Sequence, residues 1–467
     1  MRHAYCQGEI VKGPIDKYIY MIRTFSMCIP LLFLTGNQIF SQAKLDHAIN
    51  KELSSLVDVY KSFHRAPELS GHEQNTSSYI AAQLKSLGYD VTENVGKFTN
   101  RTWKGYGVIG VLKNGAGPVV LVRTDMDALP IIERTYLSYA SNVTTKNDAG
   151  EEVGVMQACG HDIHMTIFLG VAKMLVEFKS QWHGTVLMVA QPAEEAGPGA
   201  SGAEALLNDG LYARFSKPDY ILGLHQMPDI IAGKVGIAPG YTTSISGAGE
   251  IIIRGIGGHS SKPQDAKDPI VISAELIMAL QTIVSRETDP LIPATLTIGS
   301  IQGGTVGNII PEEVRMKFNL RTLDEQVCDK MIASVIRIAK GVGIAAGLPD
   351  DKLPIVNVTK GYPANYNDPH LTEIMTGVFK KAIGAGNVLA IEPKMIGEDF
   401  PYYSLNRTIP SLLFLLGSID SVKYNESVQT GIALPSLHSP FMAPSPDLTI
   451  KTGIKTMTSA VLELLKK

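Results

Sequence analysis

Apolar residues recur at helical spacing from about residue 44, at Leu45, Ile49, Leu53, Leu56, Val57 and Tyr60. That is the stripe of an amphipathic helix. A second helix is predicted over 76–87, closed by Gly88 where a helix C-terminus favours glycine. The texture then changes to short, nearly unbroken runs of Val, Ile and Leu at 107–112, 118–123, 185–190 and 220–224. Such runs suit strands covered on both faces. Helical stretches at 163–178 and 203–207 lie between them, and strands alternating with helices predict an α/β sheet.

Near Tyr241 the pattern shifts again. Residues 246–254 alternate as a strand, 269–286 read as a helix, 294–302 and 314–321 as strands, and 328–339 as another helix. With a closing strand at 354–359, this order predicts a smaller two-layer α+β unit. After about 361 the α/β texture resumes, with a helix at 371–382, a strand at 411–416 and a last helix at 450–465. The simplest organisation is one α/β domain, a mixed sheet flanked by helices, formed by 44–241 and 361–467 and interrupted by a satellite unit at 242–360.

The 467 residues are 45% hydrophobic and 19% charged, which excludes global disorder. Lys and Arg number 42 against 45 Asp and Glu, so the basic excess of a nucleic-acid binder is missing. Lys17 and Arg23, the apolar run 27–34 and the small residues that follow form the pattern of a secretory signal peptide. The run is well short of the ~20 residues a spanning helix needs. Residues 1–43 are therefore read as an N-terminal extension and signal peptide, with Met21 an alternative start. A periplasmic or secreted location is the expectation, and a cytoplasmic one the alternative. Cleavage there removes Cys6 and Cys28 and leaves Cys159 and Cys328 in different predicted domains, too few for a disulfide framework.

Candidate chemistry lies where open α/β sheets place ligands, past the strand ends. In Arg123-Thr-Asp125-Met-Asp127, two carboxylates alternate along an extended segment and share a side. They suit a metal site or its supporting shell, or a polar turn closing the strand. In Cys159-Gly-His161-Asp-Ile-His164, an extended backbone puts thiolate and imidazole on one face. Both are good ligands for zinc or a similar borderline metal. Asp162 is a candidate helix cap, and His164 a neighbour one turn on. Glu194 and Glu195 follow a buried strand, and their side chains diverge. One can bind metal while the other takes a proton from water; a solvated acidic turn is the plainer alternative. His225 at a strand end and His438 in a Pro-rich loop each read, singly, as structural histidines. Together the segments supply donors for two divalent ions and point to metal-assisted hydrolysis of a carbonyl compound.

The sequence resembles the metallohydrolases that include aminoacylases, carboxypeptidase G-type enzymes and succinyl-diaminopimelate desuccinylase. It looks most like the branch of hippurate hydrolase and the indole-acetic-acid–amino-acid amidohydrolases. The resemblance is carried by His64-Arg-Ala-Pro-Glu68-Leu, Asp125-Met-Asp127-Ala-Leu-Pro130, Ala158-Cys159-Gly-His161-Asp-Ile-His164 and Gln191-Pro-Ala-Glu194-Glu195. Further matches are Gly257-Gly-His259-Ser-Ser, Gly307-Asn308-Ile-Ile-Pro311, Gly397-Glu398-Asp399-Phe400 and His438-Ser-Pro.

The resemblance implies a zinc-peptidase-like catalytic domain with an inserted dimerisation or lid domain. It implies two divalent metal ions per subunit, zinc or else manganese, cobalt or nickel, held by Cys159, His161, Glu195, His225 and His438. Glu194 is implied as general base and later acid, and Asp127 as a residue orienting a ligand. His259 is implied to reach a neighbouring subunit's site across a homodimer, and Asn308 and Arg321 to hold a substrate carboxylate. Gln157, where many relatives have His, and Asp125, where other branches have a metal-binding His, depart from the pattern, and a polar insert at 136–153 borders the expected pocket rim. The expected reaction is hydrolysis of the amide bond of an N-acyl amino acid or small peptide. An aminopeptidase or dipeptidase needing a free α-amine is the alternative, and a non-catalytic carrier a more distant one.

Overall fold

The computed structural model describes residues 29–466, with side chains from Gln42 onward. The residues behind the signal-peptide expectation, Lys17, Arg23 and the 27–34 run, lie outside those described side chains. Helix α1, Ile29–Arg65, carries the predicted stripe, and Leu45, Ile49, Leu56, Val57 and Tyr60 are buried along it. Its backbone begins upstream of the predicted start, at Ile29. Helix α2 is Gln74–Ser86.

An eight-stranded sheet follows. Its strands are β1 (Asp90–Val95), β2 (Gly107–Asn114), β3 (Val119–Asp125), β4 (Gly184–Gln191), β5 (Tyr220–Ile231), β6 (Val235–Ile237), β7 (Val388–Ala390) and β8 (Ser411–Ile419). Their spatial order is β1-β2-β4-β3-β5-β8-β6-β7. The central strands β4, β3, β5 and β8 run parallel, and β1, β2 and β6 pair antiparallel to their inner neighbours. Alternate residues of the apolar runs divide between the two faces, as the strand period dictates. Val120, Val122, Val186, Met188, Leu222 and Leu224 pack with helices α1, α3 (His161–Glu177) and α5 (Pro446–Leu464). Leu121, Leu187, Val189 and Ile221 pack on the other face with Leu206, Phe400 and Tyr403. Helix α4, Pro369–Ile383, starts at a cap in which Asp368 accepts Leu371 N.

A second, four-stranded sheet runs in the order Ala294–Gly303, Glu313–Thr322, Ile245–Arg254, Ile355–Lys360, antiparallel throughout. Helices Pro269–Thr282 and Glu325–Ala345 supply Leu276, Leu280, Met331 and Val335 to a core of its own with Ile251, Ile253, Met316 and Phe318. Alternation predicted these strands, because one face is buried and the other is not.

The strand carrying His225 differs from the expectation. It runs on to Ile231, so His225 lies within β5 rather than at its end. Pairing of β3 with β5 stops at Val122↔Leu222, while β8 continues alongside, with Leu415 opposite His225. Beyond Leu222 one edge of β5 is therefore free for side-chain chemistry.

Candidate metal centre

The Cys159-Gly-His161 step is a turn, not the extended segment expected from its spacing. Gly160 takes φ 87 and leads into α3, of which His161 is the first residue. A Cβ at Gly160 would fall 2.5 Å from the Gln226 side chain, so glycine is required twice over, for conformation and for space. Asp162 is likewise not the cap. It sits in the first turn, where Oδ1 accepts Ile163 N at 2.8 Å and Oδ2 meets His64 Nδ1 at 2.7 Å.

The turn brings Cys159 and His161 against His225, and a second group joins Cys159 to Glu195 and His438. In each group the ligand atoms lie within 4.8 Å of one another. Cys159 belongs to both groups, and His161 also groups with Glu194 and Glu195. All five residues expected as ligands thus converge on one place, although they come from three loops, a helix start and a strand. Glu194 joins them there.

The donor set fits divalent cations. His161 Nδ1 donates to Asp127 O at 2.8 Å, and His225 Nδ1 donates to Gln226 O at 2.7 Å. Those partners assign the tautomers and leave each Nε2 as a lone-pair donor. His161 Nε2 and Glu195 Oε1 are buried without a hydrogen-bond partner. Glu195 Oε1 does lie 3.1 Å from His438 Nε2, but the two form no hydrogen bond. A buried unpaired acceptor is costly, and a cation satisfies it. His438 is half-exposed, takes φ 64, and is tied by its amide to Ala158 O at 2.9 Å.

Charge in the pocket is unevenly balanced. Burial, with Glu195 and Glu194 beside it, pushes the Cys159 thiol up. Burial also raises Glu194 well above the usual carboxylate range, reinforced by Glu398 and Glu195. Burial alone would lower His161, but Asp125, Asp127 and Glu195 outweigh it and push it up to about 10. Burial and His164 bring His225 down to about 3, so it is neutral. The concentrated negative charge at His161 is the field a divalent ion requires, with the ion taking the proton's place.

Asp127 lies beneath the glutamates rather than among the ligand groups. Its carboxylate accepts Glu194 N at 3.1 Å, Glu195 N at 2.8 Å and Ser70 Oγ at 2.6 Å. His164, named only as a neighbour, has both ring nitrogens engaged: Nδ1 meets Asp125 Oδ1 at 2.7 Å and Nε2 accepts Gln226 N at 2.8 Å. The latter bond satisfies the β5 amide just past the end of the β3 pairing.

The satellite residues stand apart. His259 is exposed, and its Nδ1 accepts from Ser261 N at 3.1 Å and contacts Ser261 Oγ at 2.8 Å. Asn308 is exposed, and its carbonyl accepts Ser260 N at 3.2 Å. Among the described residues, no hydrogen bond or ion pair joins either one to the Cys159 cluster. Arg321 is half-buried, and its Nη1 donates to Met395 O at 3.0 Å, linking the second sheet to the segment that leads into Glu398. The 136–153 insert forms a hairpin of Thr144–Lys146 and Glu152–Gly154. At its tip Asp148 accepts from Trp103 Nε1 at 3.0 Å.

Several supporting residues were given no role by sequence reasoning. Arg123 is buried and donates to Asp125 at 2.6 Å, Gln191 at 3.0 Å, Glu398 at 3.0 Å and Asp399 at 2.9 Å. Tyr362 OH donates to Glu194 O at 2.8 Å, and Gln226 Nε2 to Cys159 O at 2.7 Å. An arginine inside an otherwise apolar run was the available signal for the first. Nothing local marked the other two.

Residues 121–436 match the model of peptidase family M20/M25/M40. A hippurate hydrolase of Campylobacter jejuni is 36% identical over 342 residues, 73% of this chain and 82% of that protein. An N-acetyl-L-cysteine deacetylase of Bacillus subtilis is 33% identical over 374 residues, 79% of this chain and 82% of that protein. The crystal structure of the Bacillus subtilis YXEP protein, described as a dinuclear metal binding peptidase, matches with TM-score 0.69 and 26% identity, over 89% of this chain and 99% of that one.

Proposed function

Because the chain belongs to peptidase family M20/M25/M40 and is a metallo-amidohydrolase, we propose that it hydrolyses the amide bond of an N-acyl amino acid or small peptide, with Glu194 moving the proton. The observation that carries this reading is the placement of Glu194. It is buried, adjacent to the candidate ligand Glu195, and its Oε2 lies 3.9 Å from His161 Nε2. The relatives named for hydrolysing hippurate and N-acetyl-L-cysteine support an N-acylated substrate.

Cys159, His161, Glu195, His225 and His438 would hold two divalent cations, which would supply Lewis acidity and lower the pKa of water. Thiolate with imidazole suits zinc, and manganese, cobalt or nickel suit the same donors where they are available. Glu194 takes a proton from the attacking water and returns it to the leaving amine. Asp127 keeps His161 and both glutamates in register through the bonds described above. Arg321 and Asn308 are assigned to the substrate carboxylate, for which a guanidinium fork is well shaped. His259 is assigned to the oxyanion in a neighbouring subunit, an assignment that requires a homodimer built on the satellite unit. Exposed Ile270, Val271 and Met278 on its first helix support such an interface.

The test is Glu194→Gln, assayed on N-acyl amino acids and on dipeptides with a free amine after cation loading. Loss of turnover with cation content retained is expected. Near-normal kcat in that variant overturns the assignment, and turnover by the parent confined to free-amine substrates selects the aminopeptidase reading.

A further inference from the structure

Glu73 is fully buried, belongs to none of the candidate ligand groups and precedes helix α2, whose Ser77 N donates to Glu73 O at 2.9 Å. Its Oε1 accepts two amides, Gly71 N at 2.9 Å and Ala193 N at 2.8 Å. Ala193 immediately precedes Glu194 and takes φ 52, a left-handed conformation that a residue with a Cβ adopts only when its surroundings impose it. The imposition is visible atom by atom. Ala193 O accepts Gly202 N at 3.0 Å, and Glu194 O accepts Tyr362 OH at 2.8 Å. Asp127 takes the amides of Glu194 and Glu195 at 3.1 and 2.8 Å. Two buried carboxylates, Glu73 and Asp127, thus hold three consecutive amides of the loop that bears the catalytic glutamate.

Glu73 anchors its end firmly. Gly71, the other amide it holds, takes φ 76 under the Trp103 ring, which lies 2.3 Å from where a Cβ would stand. The clamp therefore ties the loop to the start of a helix and to a packed aromatic, and rigid support of this kind sets the precision of a site.

We propose that Glu73 is a positioning residue: by holding the Ala193 amide it fixes the reach of the Glu194 and Glu195 carboxylates. The inference rests on the reading of Glu194 as proton carrier and adds to it the device that aims that group.

Three variants test it. Glu73→Ala removes the acceptor. Glu73→Asp keeps the carboxyl group but withdraws it by one methylene. Glu73→Gln keeps an oxygen for the two amides and places its NH2 where Oε2, which makes no hydrogen bond, now lies. Glu73→Ala and Glu73→Asp are expected to lower kcat about 10–100-fold, the usual cost of losing an outer-shell partner, with KM little changed. Both are expected to weaken Mn2+ binding in calorimetric titration of the metal-stripped protein, because Glu195 rides on the same loop. Glu73→Gln is expected to recover most of both quantities. Wild-type kcat and Mn2+ affinity in folded Glu73→Ala or Glu73→Asp overturn the inference, as does a Glu73→Gln variant no better than alanine. Should Glu73→Ala fail to fold, Glu73→Asp decides alone. Glu194→Gln, run alongside, separates the two ideas: if it turns over normally, the proton-carrier reading falls whatever Glu73 does.

Discussion

Asp127 and Glu195 are joined through the backbone, with Glu195 N donating to Asp127 Oδ2 at 2.8 Å. The same residue offers its carbonyl to His161 Nδ1 at 2.8 Å, so one side chain and its peptide serve a candidate ligand on each side. Burial would raise the Asp127 carboxyl, but His161 and the surrounding donors hold it below the usual carboxylate range. Asp127→Ala strands the two glutamate amides. We expect kcat/KM to fall about 10–100-fold, and stability to fall by about 1–3 kcal/mol for each buried amide left unsatisfied. Steady-state kinetics and urea unfolding check both, and unchanged kinetics would rule out the supporting role.

Cys159 is the member common to the His161–His225 and Glu195–His438 groups. Removing it therefore touches both candidate cation positions, whereas removing His225 or His438 touches one. Equilibrium dialysis against Zn2+ or Mn2+ is expected to show Cys159→Ala losing more bound cation than either histidine variant. Two tightly bound cations in Cys159→Ala would contradict the shared arrangement.

Arg123 is enclosed by Asp125, Glu398 and Asp399, with Gln191 completing its fork. Burial works against its charge, and the three carboxylates outweigh that. Arg123→Met takes the counter-charge from buried Glu398 and Asp399, while Asp125 keeps His164. The expected loss is about 3–5 kcal/mol, measured by chemical denaturation. Arg123→Lys should recover only part of it, because a point charge cannot reproduce a four-way fork. Equal stability of the lysine variant and the parent would show that charge alone matters.

His64 is buried between Asp162 at 2.7 Å and Glu133 at 3.0 Å. Burial lowers its pKa, but the two carboxylates prevail and raise it from 6.5 to about 9. The folded state therefore binds this proton more tightly than the unfolded chain does. The stabilisation is complete below about pH 6.5 and drains away as pH rises through about 9. Denaturation midpoints between pH 6 and 10 should fall more steeply for the parent than for His64→Gln. Parallel curves would disprove the linkage.

Legibility followed the range of the interactions. The stripe of α1, the unbroken runs of β3 and β4 and the alternation of the second sheet were readable, because burial acts residue by residue and periodicity records it. The donors Cys159, His161, Glu194, Glu195, His225 and His438 were readable as chemical types. The Cys159–His161 backbone was misread as extended, because Gly160 permits a left-handed turn that spacing cannot reveal. His225 was placed at a strand end because the apolar run stops there, while the strand itself continues through Gln226 and Met227.

The sequence alone determined the alternation of apolar runs and the two kinds of sheet, since each depends on neighbours a few positions away, and it supplied the inventory of candidate metal donors as residue types. Only the tertiary structure decided that five of those side chains share one place, that His164 is spent on Asp125 and Gln226, and that Glu73 grips the loop before Glu194. Those outcomes depend on where β3 parts from β5 and on which buried amides lack a strand partner, and such facts exist only once distant segments pack.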